Sequence, residues 1–379
     1  MTYDDVAFPT RTTHLFLEVS MRRSIRSLGL AVIVLGAGIS STLFTAAVPV
    51  AAQQGKPQAP DRELRAMTYN IKHGQSNASC VQPPRIPGQP PFPDCNLDLE
   101  GTIAVLRAHA PDIVALQEVD RFWARSAYAD EPAVIAAGLE MDHHCFAPNL
   151  DHGPDSHSNV LHQYGTAIVS RFPILSCSNT LLTTFAGWEQ RGILGAIVNV
   201  RGVPTHVYST HLQASRRVGG VFQSATPQRV LQVQDIMNLL ADVTDPIVLM
   251  GDFNAGSTST EMKPLYTRLV DVWRKAGVGT GNTSSARLVG NPTSRIDYIF
   301  VSPDVTIWSV YVPIDAQTRL ASDHYPVVSN IAVPGSQVGI RRNEPTLPDA
   351  ANEGQDEEYF EEEPGGGDPG GGSQDDSKH

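Results

Sequence analysis

Residues 246–254 read Pro-Ile-Val-Leu-Met-Gly-Asp-Phe-Asn, and this stretch decides the fold. Ile247, Val248, Leu249 and Met250 leave no polar face, so the run reads as a strand buried on both sides. A chain covers such a strand only inside a layered structure, with other elements above and below. The run then stops on Gly251-Asp252-Phe253-Asn254, an acid and an amide where an apolar residue is expected. A polar end on a buried strand is what a site on the rim of a sheet needs.

Further apolar or β-branched runs lie at 64–71, 112–118, 165–170, 193–200, 205–212, 296–301, 306–312 and 325–333, and each predicts a strand. Helical periodicity appears over 97–109 (Leu99, Ile103, Leu106, ended by Pro111) and more weakly over 130–140 (Val134, Leu139). It returns over 227–242, where Thr226 caps, Pro227 takes the first turn and Val230, Val233, Met237 and Leu240 form the stripe. A fourth helix is expected over 260–275, on Met262, Leu265, Leu269 and Val272. Many strands interleaved with few helices predict one α+β or layered α/β domain over residues 60–336, with neither a repeat nor a linker.

The ends differ from the middle. The chain has 379 residues, 28 Lys and Arg and 40 Asp and Glu, for a formal charge of −12. Residues 344–379 carry −11 of it, residues 1–52 carry +1, and the middle carries −2. The body is therefore neither a basic coat for nucleic acid nor a disordered polyanion. Arg22, Arg23 and Arg26 precede an apolar run from Leu28 to Val50 that ends in Val50-Ala51-Ala52, as in a secretory signal peptide. We expect translation from Met21, cleavage after Ala52 and a secreted or extracytoplasmic protein. A retained membrane anchor is the alternative. The tail over 337–379 is acidic and Gly-rich and is expected to be disordered. The four cysteines all lie in the exported part, and an even count there predicts two disulfides. The expected pairs are Cys80 with Cys95, across a Pro-rich loop, and Cys145 with Cys177, both in strand-like segments.

Other strands also end on polar groups: Asn70, Gln117-Glu118, Thr210-His211, Arg295-Ile296-Asp297 and Ser322-Asp323-His324. Glu118, Asp252, Asp297 and Asp323, with the amides Asn70 and Asn254, form an oxygen-rich ligand inventory suited to Mg²⁺, Mn²⁺ or Ca²⁺. His211 and His324 supply proton chemistry or hydrogen bonds to a charged oxygen. No nucleophile elbow, P-loop or dinucleotide fingerprint is present. The residues thus point to metal-assisted hydrolysis by direct attack of water, with phosphate esters the substrates that most need such a metal. Each element alone has a bland reading, as a turn, a cap or an exposed carboxylate. Their joint occurrence carries the argument.

Thr68-Tyr69-Asn70-Ile71, Leu116-Gln117-Glu118-Val119, Ser209-Thr210-His211-Leu212, Gly251-Asp252-Phe253-Asn254-Ala255, Arg295-Ile296-Asp297-Tyr298-Ile299 and Ser322-Asp323-His324-Tyr325-Pro326 together resemble the endonuclease/exonuclease/phosphatase family. That family includes deoxyribonucleases, abasic-site endonucleases, neutral sphingomyelinases and inositol polyphosphate 5-phosphatases. The resemblance spans residues 63–333. It implies a four-layer α/β/β/α sandwich with two mixed β-sheets packed face to face.

The resemblance also implies roles. Glu118 is the expected principal metal ligand, with Asn70 beside it and Asp323 completing the shell. Asp252 orients or deprotonates the attacking water, and Asn254 holds that water or a phosphate oxygen. His211 and His324 donate to the phosphate, and Asp297 positions His324. Whether His324 is also the base stays open. Tyr164, Glu189 and Arg191 are expected on the substrate side, the last two in a Glu-x-Arg-like segment of bacterial members. After Asn70 the chain continues Ile71-Lys72-His73-Gly74, unlike the abasic-site enzymes, which argues against DNA repair.

Three features stay open. The Cys80–Cys95 loop either borders the cleft or is a surface insertion. The histidines at 143, 144, 152, 157 and 162 are either a second metal site or a solvated loop. Val218-Gly219-Gly220-Val221-Phe222 is a candidate apolar hairpin of the kind a lipid-directed enzyme exposes. The expected activity is phosphodiester hydrolysis, with a nucleic acid, a phospholipid or a small molecule as substrate. The alternatives are a sphingomyelinase-like or phosphoinositide-type phosphatase and a catalytically dead binding module. No obligate protein partner is evident, and a monomer is expected.

Overall fold

The computed structural model describes residues 62–78, 94, 96–156, 159–285 and 291–334. The described residues all belong to one compact unit, Lys56–His379. The leader, the acidic tail, His157 and the Cys80–Cys95 pair lie outside them.

Among the described residues fourteen strands are formed: β1 Arg62–Asn70, β2 Ile113–Arg121, β3 His143–His152, β4 His162–Ser170, β5 Ile174–Leu181, β6 Gly192–Val200 and β7 Val203–His211. Then come β8 Arg216–Val218, β9 Val221–Gln223, β10 Ile247–Asp252, β11 Val270–Asp271, β12 Asp297–Val301, β13 Thr306–Tyr311 and β14 Val327–Val333. The helices are α1 Leu99–His109, α2 Glu131–Gly138, α3 Thr226–Leu240, α4 Leu265–Arg268, α5 Val272–Ala276 and α6 Ala316–Ala321. One six-stranded sheet has the order β13-β14-β1-β2-β4-β3, and the other has β11-β12-β10-β7-β6-β5. Each mixes parallel and antiparallel neighbours, as in β1–β2 against β1–β14 and in β10–β7 against β10–β12. β8 and β9 stand apart as a hairpin.

Side chains alternate along a strand, and the alternation divides the core into layers. Leu64 and Ala66 of β1, Ile113 and Ala115 of β2, Val207 of β7, Val248 and Met250 of β10, and Ile299 and Val301 of β12 share one cluster between the sheets. Met67, Tyr69, Val114 and Leu116 point the other way and pack with Ile103, Leu106 and Ile135 of α1 and α2. Tyr208, Ile247, Leu249 and Phe300 pack with Val233, Ile236 and Leu240 of α3. The result is the four-layer sandwich, helices outside and two sheets face to face.

Three sequence expectations are corrected. The 260–275 segment is not one helix. Met262, Leu265, Leu269 and Val272 are all buried, but Leu269 is extended and the chain passes through β11 before α5. Asp271 makes the break: it caps Trp273 and Arg274 and is clamped by Arg295 at 2.7 Å. Thr226 is the first helical residue of α3, not its cap, and Val230 is exposed. β3 and β5 were absent from the runs read as strands. They are sheet edges, β5 largely exposed and β3 largely half-buried, so they carry no clean apolar alternation.

Those two edges are joined by the Cys145–Cys177 disulfide, with a Cα–Cα distance of 6.5 Å. The bond links the edge strand of one sheet to that of the other across 32 residues of chain. Closing a loop of that length restricts the unfolded chain by about 3–4 kcal/mol. Cys145→Ser with Cys177→Ser should therefore lower the unfolding free energy by about that amount, measured by denaturant titration. A loss under about 1 kcal/mol would show that the bond does not hold the sheets together.

Candidate active site

The same alternation builds the site. Leu64 and Ala66 face inward, so Thr68 and Asn70 do too; Val248 and Met250 face inward, so Asp252 does. Asp297 follows from Ile299 and Val301, and His211 from Val207. The register then aligns them. Asp252 pairs with His211 on the parallel neighbour and with Asp297 on the antiparallel one. Gly251 permits this close pairing, because its φ of 153° suits no L side chain and a Cβ there would collide with the Thr210 carbonyl.

Glu118 breaks the alternation. The β2–β4 register shifts between Leu116 and Val119, and Glu118 takes a left-handed φ of 56°. A bulge of this kind re-aims a side chain. Gln117 fills the inward position, donating to Ser209 Oγ at 3.1 Å and accepting from Thr68 Oγ1 at 3.2 Å. Glu118 reaches the site instead and accepts from Asn70 Nδ2 at 3.0 Å. The same Nδ2 donates to Asp252 Oδ2 at 3.1 Å, so one amide joins carboxylates from both sheets.

Around Asp252 the groups are buried and close. His211 Nε2 lies 3.4 Å and His324 Nε2 3.7 Å from Asp252 Oδ2. His324 Nδ1 donates to Asp297 Oδ2 at 2.9 Å. Thr283 Oγ1 accepts from the backbone N–H groups of Ile296 and Asp297, which fixes the backbone that carries this carboxylate. Ser322 Oγ donates to the Asn70 carbonyl at 2.8 Å and ties the His324 loop to β1. Asn254 is held by its own N–H to Asp252 Oδ1 at 2.9 Å and by Nδ2 to the Leu212 carbonyl at 3.0 Å.

The two histidines are driven to opposite charge states. Burial first, then the charges of Arg191 and His324, hold His211 well below the ordinary value, so it is neutral. Arg191 Nη1 lies 2.9 Å from its Nδ1. A guanidinium only donates, so in the neutral ring Nδ1 accepts and the proton sits on Nε2, which lies between Asp252 Oδ2 at 3.4 Å and the Asn254 amide at 3.1 Å. Burial also works against a charged His324, but Asp297 and then Asp252 outweigh it and raise its value well above 6.5. For Asp252, burial and then Asp297 push the carboxyl up to about 7.

Of the expected residues, Asn70, Glu118, His211, Asp252, Asn254, Asp297 and His324 form one connected group. Arg191 joins it through His211, and Glu189 joins through its ion pair with Arg191 at 2.9 Å. Tyr164 is buried, and burial followed by the Glu118 charge raises its hydroxyl pKa. Asp323 faces Lys72 Nζ at 3.6 Å, so a lysine competes for the ligand expected to complete a metal shell. Thr283, the Lys72–Asp323 ion pair and the Arg191–His211 contact have no local pattern, although Lys72 marks a departure after Asn70 and Arg191 stands in the Glu-x-Arg-like segment.

The chemistry of the donor set fits a hard divalent cation. Among the described residues, Asp252, Asp297 and His324 offer ligand atoms within 4.8 Å of one another. His324 already donates to Asp297, so that trio reads better as a carboxylate–histidine pair beside Asp252. The Asn70 amide NH₂ supplies the positive partner between Glu118 and Asp252. Turned over, it would present its oxygen to both carboxylates, an arrangement only a cation makes favourable. The His-rich segment builds no comparable group among the described residues. His143 and His144 start β3, while His152 pairs with His162 at its far end, where both rings pack on Trp123.

Two face-to-face sheets whose inner strand ends gather acids, amides and two histidines define a hydrolytic sandwich enzyme of the phosphoesterase class. The chain belongs to the Endonuclease/Exonuclease/phosphatase family, whose model matches residues 67–324. Members of that family hydrolyse phosphoester bonds, generally with a divalent metal. A solved endonuclease/exonuclease/phosphatase from Beutenbergia cavernae DSM 12333 is 28% identical, with 74% of each chain covered and a TM-score of 0.56. A functionally unknown conserved protein from Enterococcus faecalis V583 is 17% identical over 71% of this chain and 100% of that one, with a TM-score of 0.53. An endonuclease/exonuclease/phosphatase from Bacteroides vulgatus is 20% identical over 72% and 99%, with a TM-score of 0.51. The last two are alike in fold alone. No curated protein matched the chain.

Two outcomes follow from these charges. Asp252 has a folded value near 7 against an ordinary 3.8, so the folded state binds its proton more tightly than the unfolded chain does. Stability is thus lost as pH rises between those values. In chelator at pH 8, Asp252→Asn should melt about 5 °C above the parent, with the gain shrinking toward pH 4. A lower melting point at pH 8 would show the carboxylate to be a net stabiliser. Arg191→Met should cut kcat by about 10–100-fold with little change in KM, and should move His211 from the Nε2–H tautomer to a mixture in ¹⁵N spectra. An unchanged tautomer signature would remove Arg191 from this role.

Proposed function

We propose that this protein is an exported, divalent-metal-dependent phosphodiesterase in which water attacks phosphorus directly. The observation that carries the reading is the buried group at the inner strand ends: a carboxylate near neutrality, flanked by one neutral and one cationic histidine. Asp252 takes the proton of the attacking water, its value poised for that exchange. Neutral His211, through Nε2–H, and cationic His324 donate to the phosphate oxygens, where charge grows in the transition state. His324 is kept cationic by Asp297 and so has no free lone pair, which favours Asp252 over His324 as the base. Asn254, anchored at Leu212, holds the water or an oxygen beside it.

Glu118 and Asn70 would hold Mg²⁺, with Mn²⁺ or Ca²⁺ as substitutes, and Asp323 would contribute on release from Lys72. Such a cation supplies the positive charge that offsets the phosphate and the surrounding carboxylates. Export is supported by the basic-then-apolar leader and by a disulfide between sheets, which suits an oxidising compartment. Among the described residues no helix is long and apolar enough to cross a membrane.

The test is a side-by-side assay of bis-aryl phosphate, mono-aryl phosphate, plasmid DNA, RNA and sphingomyelin. Turnover of a diester should vanish in chelator and return with Mg²⁺ or Mn²⁺. His324→Ala and Asp252→Asn should each lower the rate by about 10²–10³-fold or more while the chain stays folded. A folded protein inactive on all five substrates would overturn the enzyme reading. Near-parental activity in either variant would overturn the roles.

A further inference from the structure

Between Glu189 and Asp235 the chain holds no acidic residue and five arginines, in a protein of net charge −12. Arg191 is engaged with Glu189 and His211, Arg229 with Glu261, and Arg201 stands over Phe172. Arg216 and Arg217 remain, both on the β8–β9 hairpin, and neither makes an ion pair among the described residues. Arg216 donates to Gln223 and to the Gly187 carbonyl, and Arg217 donates to the Gly220 carbonyl.

The hairpin turns through Gly219 and Gly220, with φ of 56° and 79°, the two positive values of a tight hairpin turn. Among the described residues, nothing lies within 4 Å of where a Cβ would stand on either glycine, so none of them packs on the tip. Val218, Val221 and Phe222 around it are 50%, 66% and 59% exposed, and Phe222 is paired across the strands with Arg217. Two three-residue strands are too short to be stable alone. The hairpin is held at its base, where Arg216 lies 4.0 Å over the Trp188 ring. Phe185, on the same neighbouring loop, is exposed as well.

We propose that this hairpin docks the protein on an anionic phospholipid bilayer. Apolar tips beside arginines match the boundary between acyl chains and headgroup phosphates. A protein partner is disfavoured because three-residue strands cannot approach the roughly 800 Å² per side of a stable interface. A nucleic acid would use the arginines but leave Val218 and Val221 in water.

The placement gives the surface a purpose. The hairpin leaves the end of β7 that carries His211, and the loop clamped by Arg216 runs from Gly187 directly into Glu189 and Arg191. A bilayer at the tip therefore brings headgroup phosphodiesters beside the catalytic group. This last step rests on the proposed phosphodiesterase activity; the docking itself does not.

The experiment is sedimentation of the full chain with vesicles of phosphatidylcholine alone or with about a third phosphatidylserine, alongside Val221→Ser/Phe222→Ser and Arg217→Gln variants. The parent should bind the anionic vesicles, more weakly at high salt. The double variant should lose at least tenfold in binding, and Arg217→Gln should lose the preference for phosphatidylserine. Turnover of soluble bis-aryl phosphate should not change in either variant, whereas turnover of vesicle phospholipid should fall with binding. No vesicle binding by the parent, or binding indifferent to the double variant, overturns the proposal. So does binding to single-stranded DNA that Arg217→Gln abolishes while vesicles are ignored. If the parent leaves bis-aryl phosphate intact, the catalytic reading fails, and sedimentation still decides the docking.

Discussion

One amide, that of Asn70, touches Glu118 from its own sheet and Asp252 from the facing one. The rest of the site depends on this contact, because it is where the two sheets bring like charges together. Buried carboxylates repel and lose hydration, so they persist only where donors and cations are supplied. Asn70 and the Asn254 backbone N–H donate directly to these carboxylates, His324 supplies charge, and Thr283 fixes the backbone of Asp297. The fold concentrates negative charge at one end of the sandwich, and that end is suited to a divalent cation and a phosphate.

The same crowding explains how two histidines on neighbouring strand ends acquire different jobs. His211 meets a guanidinium on its far side and is kept neutral; His324 meets a carboxylate and is kept charged. Neither ring is special in itself. Burial disfavours charge on both; the guanidinium adds to that at His211, Asp297 and Asp252 override it at His324, and Asp252 lies within 4 Å of both.

Much of this was legible in the chain. The inward-facing set could be counted in steps of two from Val248 to Asp252 or from Leu64 to Asn70, because alternation is a local property of strands. The buried positions of 260–275 were likewise correct while the helix was not. Periodic apolar residues say what is buried, and here Asp271, held by Arg295 from a distant segment, set the backbone. β3 and β5 showed only as strand-like segments around Cys145 and Cys177, because an edge strand need not be apolar on either face. Their cysteines were the only sign of their place.

The sequence by itself determined an α+β or layered α/β domain and which runs are buried, since burial and strand periodicity act over a few neighbours. It also carried the order of polar strand ends, and through them the family. Tertiary structure alone decided that Glu118 turns into the site on a bulge, that Arg191 sets the tautomer of His211, that Lys72 meets Asp323 and that the Arg216–Gln223 hairpin stands free. Each of these rests on groups distant in sequence meeting at a few ångströms or, for the hairpin, on the absence of neighbours around its tip among the described residues, and no local pattern encodes such a meeting.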